Sequence, residues 1–201
     1  MDYQIWKRNP NLISGQEYIT NQLVAKEASS KGFSAIIDEY VYINSENVEN
    51  TFNIISKSSE LIHGTGIDLG GGIGCISSTL AKRNAVDKIY CVELVEDAVK
   101  LCHTIVKQEI LKEEKHKVIS VIGDYDNLEL EDNSIDFAVS WDSMHHSIDP
   151  IKTFKECKRV LKKNGMFIIV DRAHNNSTPD SEIERMLNIT YDEEFLTKYI
   201  D

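Results

Sequence analysis

The chain has no long apolar runs; the longest are about five residues, as in Met166–Val170. A membrane helix needs roughly 20, so no membrane partner is expected. The N-terminus, Met1-Asp2-Tyr3-Gln4, carries an acid early and lacks an apolar signal core, which points to a cytoplasmic protein. Basic charge is also scarce. Twenty-two Lys and Arg stand against 33 Asp and Glu, a formal charge of −11 with no Lys/Arg-rich block. Such a surface repels phosphate backbones and anionic lipid, which excludes general nucleic-acid binding and a membrane-surface role. The four cysteines, Cys75, Cys91, Cys102 and Cys157, form no CxxC pair. Each lies in an apolar or helical pattern, so they read as reduced, buried thiols rather than a disulfide framework or metal set. Proline occurs three times, and there is no internal repeat or low-complexity tract.

What is present is an ordinary globular composition. The 201 residues are 41% apolar and 27% charged, enough to bury the core of one domain. Residues 1–60 read as helices with short breaks: 13–28, 35–42 and 47–61, the last with Val48, Phe52, Ile55 and Leu61 on one face. From residue 64 the pattern changes to short β-branched strands alternating with helices. Strands are expected at 65–69, 88–93, 118–122, 135–141 and 166–170. Helices are expected at 76–83, 95–110 and 151–161. This reads as an α/β, doubly wound, mainly parallel sheet of strand order 3-2-1-4-5. Residues 1–60 would form a helical cap or lid, and residues 61–201 a Rossmann-like binding domain.

Open parallel sheets bind ligands at the carboxyl ends of their strands. After the first strand comes Asp68-Leu69-Gly70-Gly71-Gly72-Ile73-Gly74-Cys75. This is GxGxG on Gly70, Gly72 and Gly74; a dinucleotide GxGxxG would need glycine where Cys75 stands. Glycine allows close backbone approach to a ligand. Asp68, where a pyrophosphate would otherwise lie, favours a cationic or zwitterionic ligand. Glu93 ends the second strand, 19 positions beyond Gly74, close to the spacing at which an acid meets a ribose diol. Asp124 follows the third strand and can accept from an exocyclic amine, with Tyr125 as pocket wall. After the fourth strand, Ser140 to His146 face the crevice. Adjacent histidines rarely point to one site and no third ligand stands at metal spacing, so no metal is expected.

Together these segments resemble the class I S-adenosylmethionine-dependent methyltransferases of the small-molecule type. The resemblance rests on 67–74, Glu93, Gly123-Asp124, 136–140 with Met144-His145-His146, and 154–165, in that order, and covers about residues 64–172. It implies that Asp68 and the glycine loop hold the methionine part of the cofactor, Glu93 the ribose, and Asp124 the adenine, with Leu94 and Tyr125 among the cofactor-binding residues. Backbone around Ser140 and Trp141 would line the methionine side. Asn164-Gly165 stands in place of the commoner Pro-Gly-Gly turn. Such folds usually end in a further helix and a two-stranded hairpin. Here the 31 residues after Val170 read as helical, at 181–187 and 192–199. The C-terminal strands are therefore missing from the pattern, as in a truncated form. The fifth strand keeps an open edge, which is compatible with a homodimer.

The expected activity is in-line methyl transfer from S-adenosylmethionine to a small-molecule acceptor. His145 and His146 are the preferred candidate bases, with Asp142 and His174 as others. Tyr18 is a candidate lid residue facing the cofactor. The alternative is a non-catalytic S-adenosylmethionine-binding module acting through a partner. A nicotinamide-dependent oxidoreductase fits the glycine spacing and Asp68 less well. The sequence does not identify the acceptor.

Overall fold

A computed structural model describes residues 3–39, 45–54, 60–173 and 175–189. The elements run β1 (Tyr3–Ile5), α1 (Gln16–Lys31), α2 (Phe33–Glu39), α3 (Ser45–Ile54), β2 (Gly64–Leu69), α4 (Cys75–Ala81) and β3 (Val86–Glu93). Then follow a π-helical turn at Ala98–Cys102, α5 (His103–Leu111), β4 (Val118–Ile122), β5 (Ile135–Trp141), α6 (Pro150–Val160), β6 (Leu161–Val170) and α7 (Asp180–Leu187). Two compact units result, Met1–Asp171 and Arg172–Asp201. In the second, α7 carries an Arg185–Glu182 ion pair one turn apart.

The first unit is built on one sheet of order β1-β4-β3-β2-β5-β6. Every pairing is parallel. Parallel strands need crossovers and are covered on both faces, so their residues are apolar on both sides. In β3, Ile89 and Cys91 enter the core cluster that holds Phe52 of α3 and Leu80 of α4. Val92 enters the opposite cluster, with Ile67 and Leu69 of β2 and Cys157 and Val160 of α6. The period of two also turns Asp68, between Ile67 and Leu69, toward α4. Helix α6 is set by Asp149, whose side chain accepts the Lys152 backbone N–H at 3.1 Å, and by Pro150 in its first turn. Its Thr153, Cys157 and Val160 then repeat on the buried face.

The five expected strands take the expected order 3-2-1-4-5. Residues 1–60, read as helices with short breaks, also contain a strand that was not expected: Tyr3–Ile5 forms a sixth strand beside β4. Three residues are too few for alternation to show. What fixes them is tertiary: the Trp6 N–H donates to the Ile122 carbonyl at 2.9 Å, and the Trp6 ring is buried. The expected helix at 95–110 is interrupted by the π-turn, within which Leu101 is exposed. Among the described residues β6 pairs with β5 alone. The expected helix at 192–199 lies outside the described residues. No helix among the described residues is long and apolar enough to cross a membrane.

Candidate functional site

The carboxyl ends of β2, β3, β4 and β5 gather the expected site segments. The loop from β2 into α4 is pinned to β3, since the N–H groups of Gly70 and Gly71 both donate to the Val92 carbonyl at 2.9 Å. Gly70, Gly72 and Gly74 all take positive φ, at 71°, 54° and 86°, so the GxGxG spacing records backbone geometry. At Gly72 a Cβ would meet nothing within 4 Å, so this part of the loop faces open space. Gly71, which the motif does not require, is demanded by packing. A Cβ there would collide with Cys91 Sγ.

Asp68 is fully buried at the end of β2. Its Oδ2 accepts from the Ser77 hydroxyl of α4 at 2.6 Å. Its Oδ1 is buried and has no hydrogen-bond partner among the described residues. Burial, opposed by the Ser77 bond and reinforced by Glu93, pushes the carboxyl up to about 7. A buried carboxylate oxygen without a donor is costly, and a cationic donor would relieve it. Glu93 is held by backbone donors: Gly72 N–H to Oε2 at 2.8 Å and Val95 N–H to Oε1 at 2.7 Å. Burial raises its pKa, and these bonds oppose the rise. Each oxygen keeps a second lone pair able to accept a hydroxyl.

Asp124 is buried and occupied on both oxygens. Oδ1 accepts the Asp126 N–H at 2.8 Å, and Oδ2 accepts the Asn9 N–H at 3.2 Å. The Tyr125 hydroxyl donates to the Ser143 carbonyl at 3.3 Å, and burial raises its pKa. Ser140 Oγ lies 2.9 Å from Ser143 Oγ, which donates to the Leu69 carbonyl at 2.6 Å. The β5 end is thereby tied to the glycine loop. The Trp141 ring turns to Phe52, with centroids 6.1 Å apart. The Leu94 carbonyl accepts from Arg8 at 3.3 Å, and Arg8 also donates to the Tyr18 hydroxyl at 3.3 Å. Tyr18 itself packs with Ile73, Cys75 and Val95.

The two histidines diverge. His145 Nδ1 lies 2.7 Å from Asp171 Oδ1, while His146 Nδ1 lies 2.8 Å from Glu17 Oε1 of α1. The sequence shows no third group at ligand spacing, but the fold supplies one. Asp142, His145 and Asp171 bring one potential ligand atom each within 4.8 Å of one another. The Nδ1–Oδ1 distance within this trio is that of a hydrogen bond. His174 lies outside the described residues.

Sequence reasoning missed His103, Asn9, Arg8 and Asp171. His103 is buried below the glycine loop, with Nε2 2.9 Å from the Gly72 carbonyl and 3.8 Å from Cys91 Sγ. Burial pushes its pKa down to about 4, so it is neutral and donates from Nε2. Its signal was its place between Val99 and Val106, on the same helical face. Asn9 and Arg8 carry no motif; their roles follow from β1 docking on β4.

The chain matches known proteins over this region. A family model described as "Methyltransferase domain" matches residues 67–169, about half the chain. The sarcosine/dimethylglycine N-methyltransferase of Aphanothece halophytica is 29% identical over 153 residues, 75% of this chain and 52% of that protein. The chain thus spans about half the length of this curated relative. A candidate S-adenosyl-L-methionine-dependent methyltransferase from Methanococcus maripaludis superposes with a TM-score of 0.57 at 26% identity. That match covers 90% of this chain and 78% of the other. A sarcosine dimethylglycine methyltransferase candidate from Galdieria sulphuraria gives a TM-score of 0.56 at 26% identity, over 72% of this chain and 52% of that one. With its glycine loop, acidic strand ends and parallel sheet, the chain belongs to the methyltransferase-domain family, as a class I S-adenosylmethionine-dependent member.

Proposed function

We propose that the protein transfers the methyl group of S-adenosylmethionine to a small amine acceptor of the N-methylated glycine type. The observation that carries the cofactor reading is Asp68, whose Oδ1 is buried without a partner among the described residues and whose carboxyl group lies against Gly71 of a loop open at Gly72. Both features fit a cationic amino-acid moiety. The cofactor supplies an electrophilic methyl carbon on a sulfonium. Asp68 would accept from its ammonium group, and the free lone pairs of Glu93 from its ribose hydroxyls. Asp124 and Tyr125 would meet the adenine, and the backbone of Ser140 and Trp141 the methionine chain. Three carboxylates, Asp68, Glu93 and Asp124, give the pocket a negative potential suited to a sulfonium and to an ammonium acceptor. The amine class is supported by the Aphanothece and Galdieria relatives.

Calorimetric titration with S-adenosylmethionine and S-adenosylhomocysteine tests the cofactor. We expect micromolar binding of both, lost in Gly72→Val, whose side chain would enter the open space in front of the loop. A panel of glycine, sarcosine and dimethylglycine, read as S-adenosylhomocysteine release, tests the acceptor. Binding without release on any amine would refute the acceptor class. No binding would refute the cofactor assignment.

A further inference from the structure

We infer that Asp171 is a positioning residue that makes His145 the base, with Nε2 as the proton-accepting atom; this deepens and rests on the methyl-transfer reading. His145 follows β5 and Asp171 follows β6, so two neighbouring parallel strands deliver them to the same end of the sheet. Asp171 takes two hydrogen bonds from this one residue. Oδ2 accepts the His145 backbone N–H at 3.2 Å, and Oδ1 lies 2.7 Å from Nδ1. An ionised carboxylate only accepts, so Nδ1 carries the proton, and the tautomer with a single ring proton leaves Nε2 bare. The backbone bond fixes the loop, and the ring bond fixes the tautomer.

His146 is held differently. Its carboxylate partner, Glu17, comes from α1, and the two side chains are 48% and 66% exposed, against 34% and 15% for His145 and Asp171. So open a pair constrains a ring weakly. Among the described residues, other charged or titratable groups facing His145 include Asp142, with Oδ1 3.9 Å from Nδ1, and the His146 ring, 4.0 Å away between centroids. Two residues before His145, Ser143 donates to the Leu69 carbonyl and so braces this segment against the glycine loop.

The step balances. An amine acceptor arriving as ammonium gives its N–H proton to Nε2. The freed nitrogen lone pair bonds to the methyl carbon as the carbon–sulfur bond breaks, and that bond's electrons remain on sulfur. Asp171 compensates the imidazolium, and the partly exposed ring passes its proton to water.

Asp171→Asn tests the assignment because it is isosteric. The His145 backbone N–H would hold the amide oxygen, so the NH2 group would face Nδ1. Nδ1 must then accept, and the ring proton moves to Nε2. Long-range proton–nitrogen spectra of histidine-labelled, cofactor-free protein read this directly, with His145→Gln assigning the signal. We expect an Nδ1–H ring in the wild type and an Nε2–H ring in Asp171→Asn. With the acceptor found by the amine panel, turnover in Asp171→Asn should fall about 100-fold, with S-adenosylhomocysteine affinity unchanged. An Nε2–H ring in the wild type overturns the assignment, even if the variant fails to fold. So does an unchanged tautomer or unchanged turnover in the variant. Binding of Zn2+ or Mg2+ that Asp171→Asn abolishes also overturns it, since the trio would then be a cation site. The spectra need no cofactor, so failed S-adenosylmethionine binding would sink the methyl-transfer reading separately.

Discussion

Asp68→Asn should stabilise the cofactor-free protein while removing its affinity for the cofactor. The native carboxyl titrates at about 7, against an ordinary 3.8, mainly because burial disfavours its charge. A carboxyl raised in this way stabilises the fold when protonated. That contribution is complete below 3.8 and is lost as pH rises to about 7. At about 1.36 kcal/mol per pH unit the ionised residue costs roughly 4 kcal/mol above pH 7. The neutral amide keeps the shape and escapes the cost. Its gain over wild type should grow by roughly 3 kcal/mol between pH 5 and pH 8.5. In a chain of 201 residues that corresponds to about 5–10 °C in Tm. Thermal unfolding at both pH values measures the gain, and calorimetry measures the lost affinity. A Tm difference between variant and wild type that is the same at both pH values would refute the argument. So would undiminished S-adenosylmethionine binding.

His103 has the opposite sign. Its native pKa of about 4 lies below the ordinary 6.5, so its contribution is present above 6.5 and is lost as pH falls toward 4. Relative to wild type, His103→Gln should therefore gain roughly 3 kcal/mol between pH 6.5 and pH 4, read from denaturant unfolding across that range. Gly71→Ala should destabilise by about 1–3 kcal/mol through overpacking against Cys91. Adding Cys91→Ala should recover part of the loss, which a double-mutant cycle of unfolding energies would show. Glu93→Ala should weaken S-adenosylmethionine binding by about 1.5–3 kcal/mol; titration at wild-type affinity would refute the ribose assignment.

Asp68 on β2 and His103 on α5 oppose each other across the same pH range. Their joint effect on wild-type stability is therefore flatter than either alone, and each single variant exposes the other. Both adjoin the glycine loop, Asp68 through its start and His103 through the Gly72 carbonyl. Burial of two titratable groups beneath a ligand loop is a stability cost that a site can carry when its ligand offsets it.

The sequence by itself determined the parallel sheet, because short β-branched runs separated by amphipathic helices leave few other ways to bury their faces. It also determined the glycine loop, because the positive φ angles at Gly70, Gly72 and Gly74 follow from local backbone preference. Glu93 and Asp124 were legible for the same reason: a strand end is a local feature. The rest depended on residues far apart in the chain. The strand Tyr3–Ile5 exists only because β4 offers it an edge. Gly71 matters only because Cys91 of the next strand lies against it, and Asn9 reaches Asp124 only once β1 is docked. Asp171 meets His145 because adjacent parallel strands end side by side, 26 positions apart in sequence. Local pattern encodes backbone conformation and burial; which side chains share a hydrogen bond is decided by strand order and register, and these exist only in the folded chain.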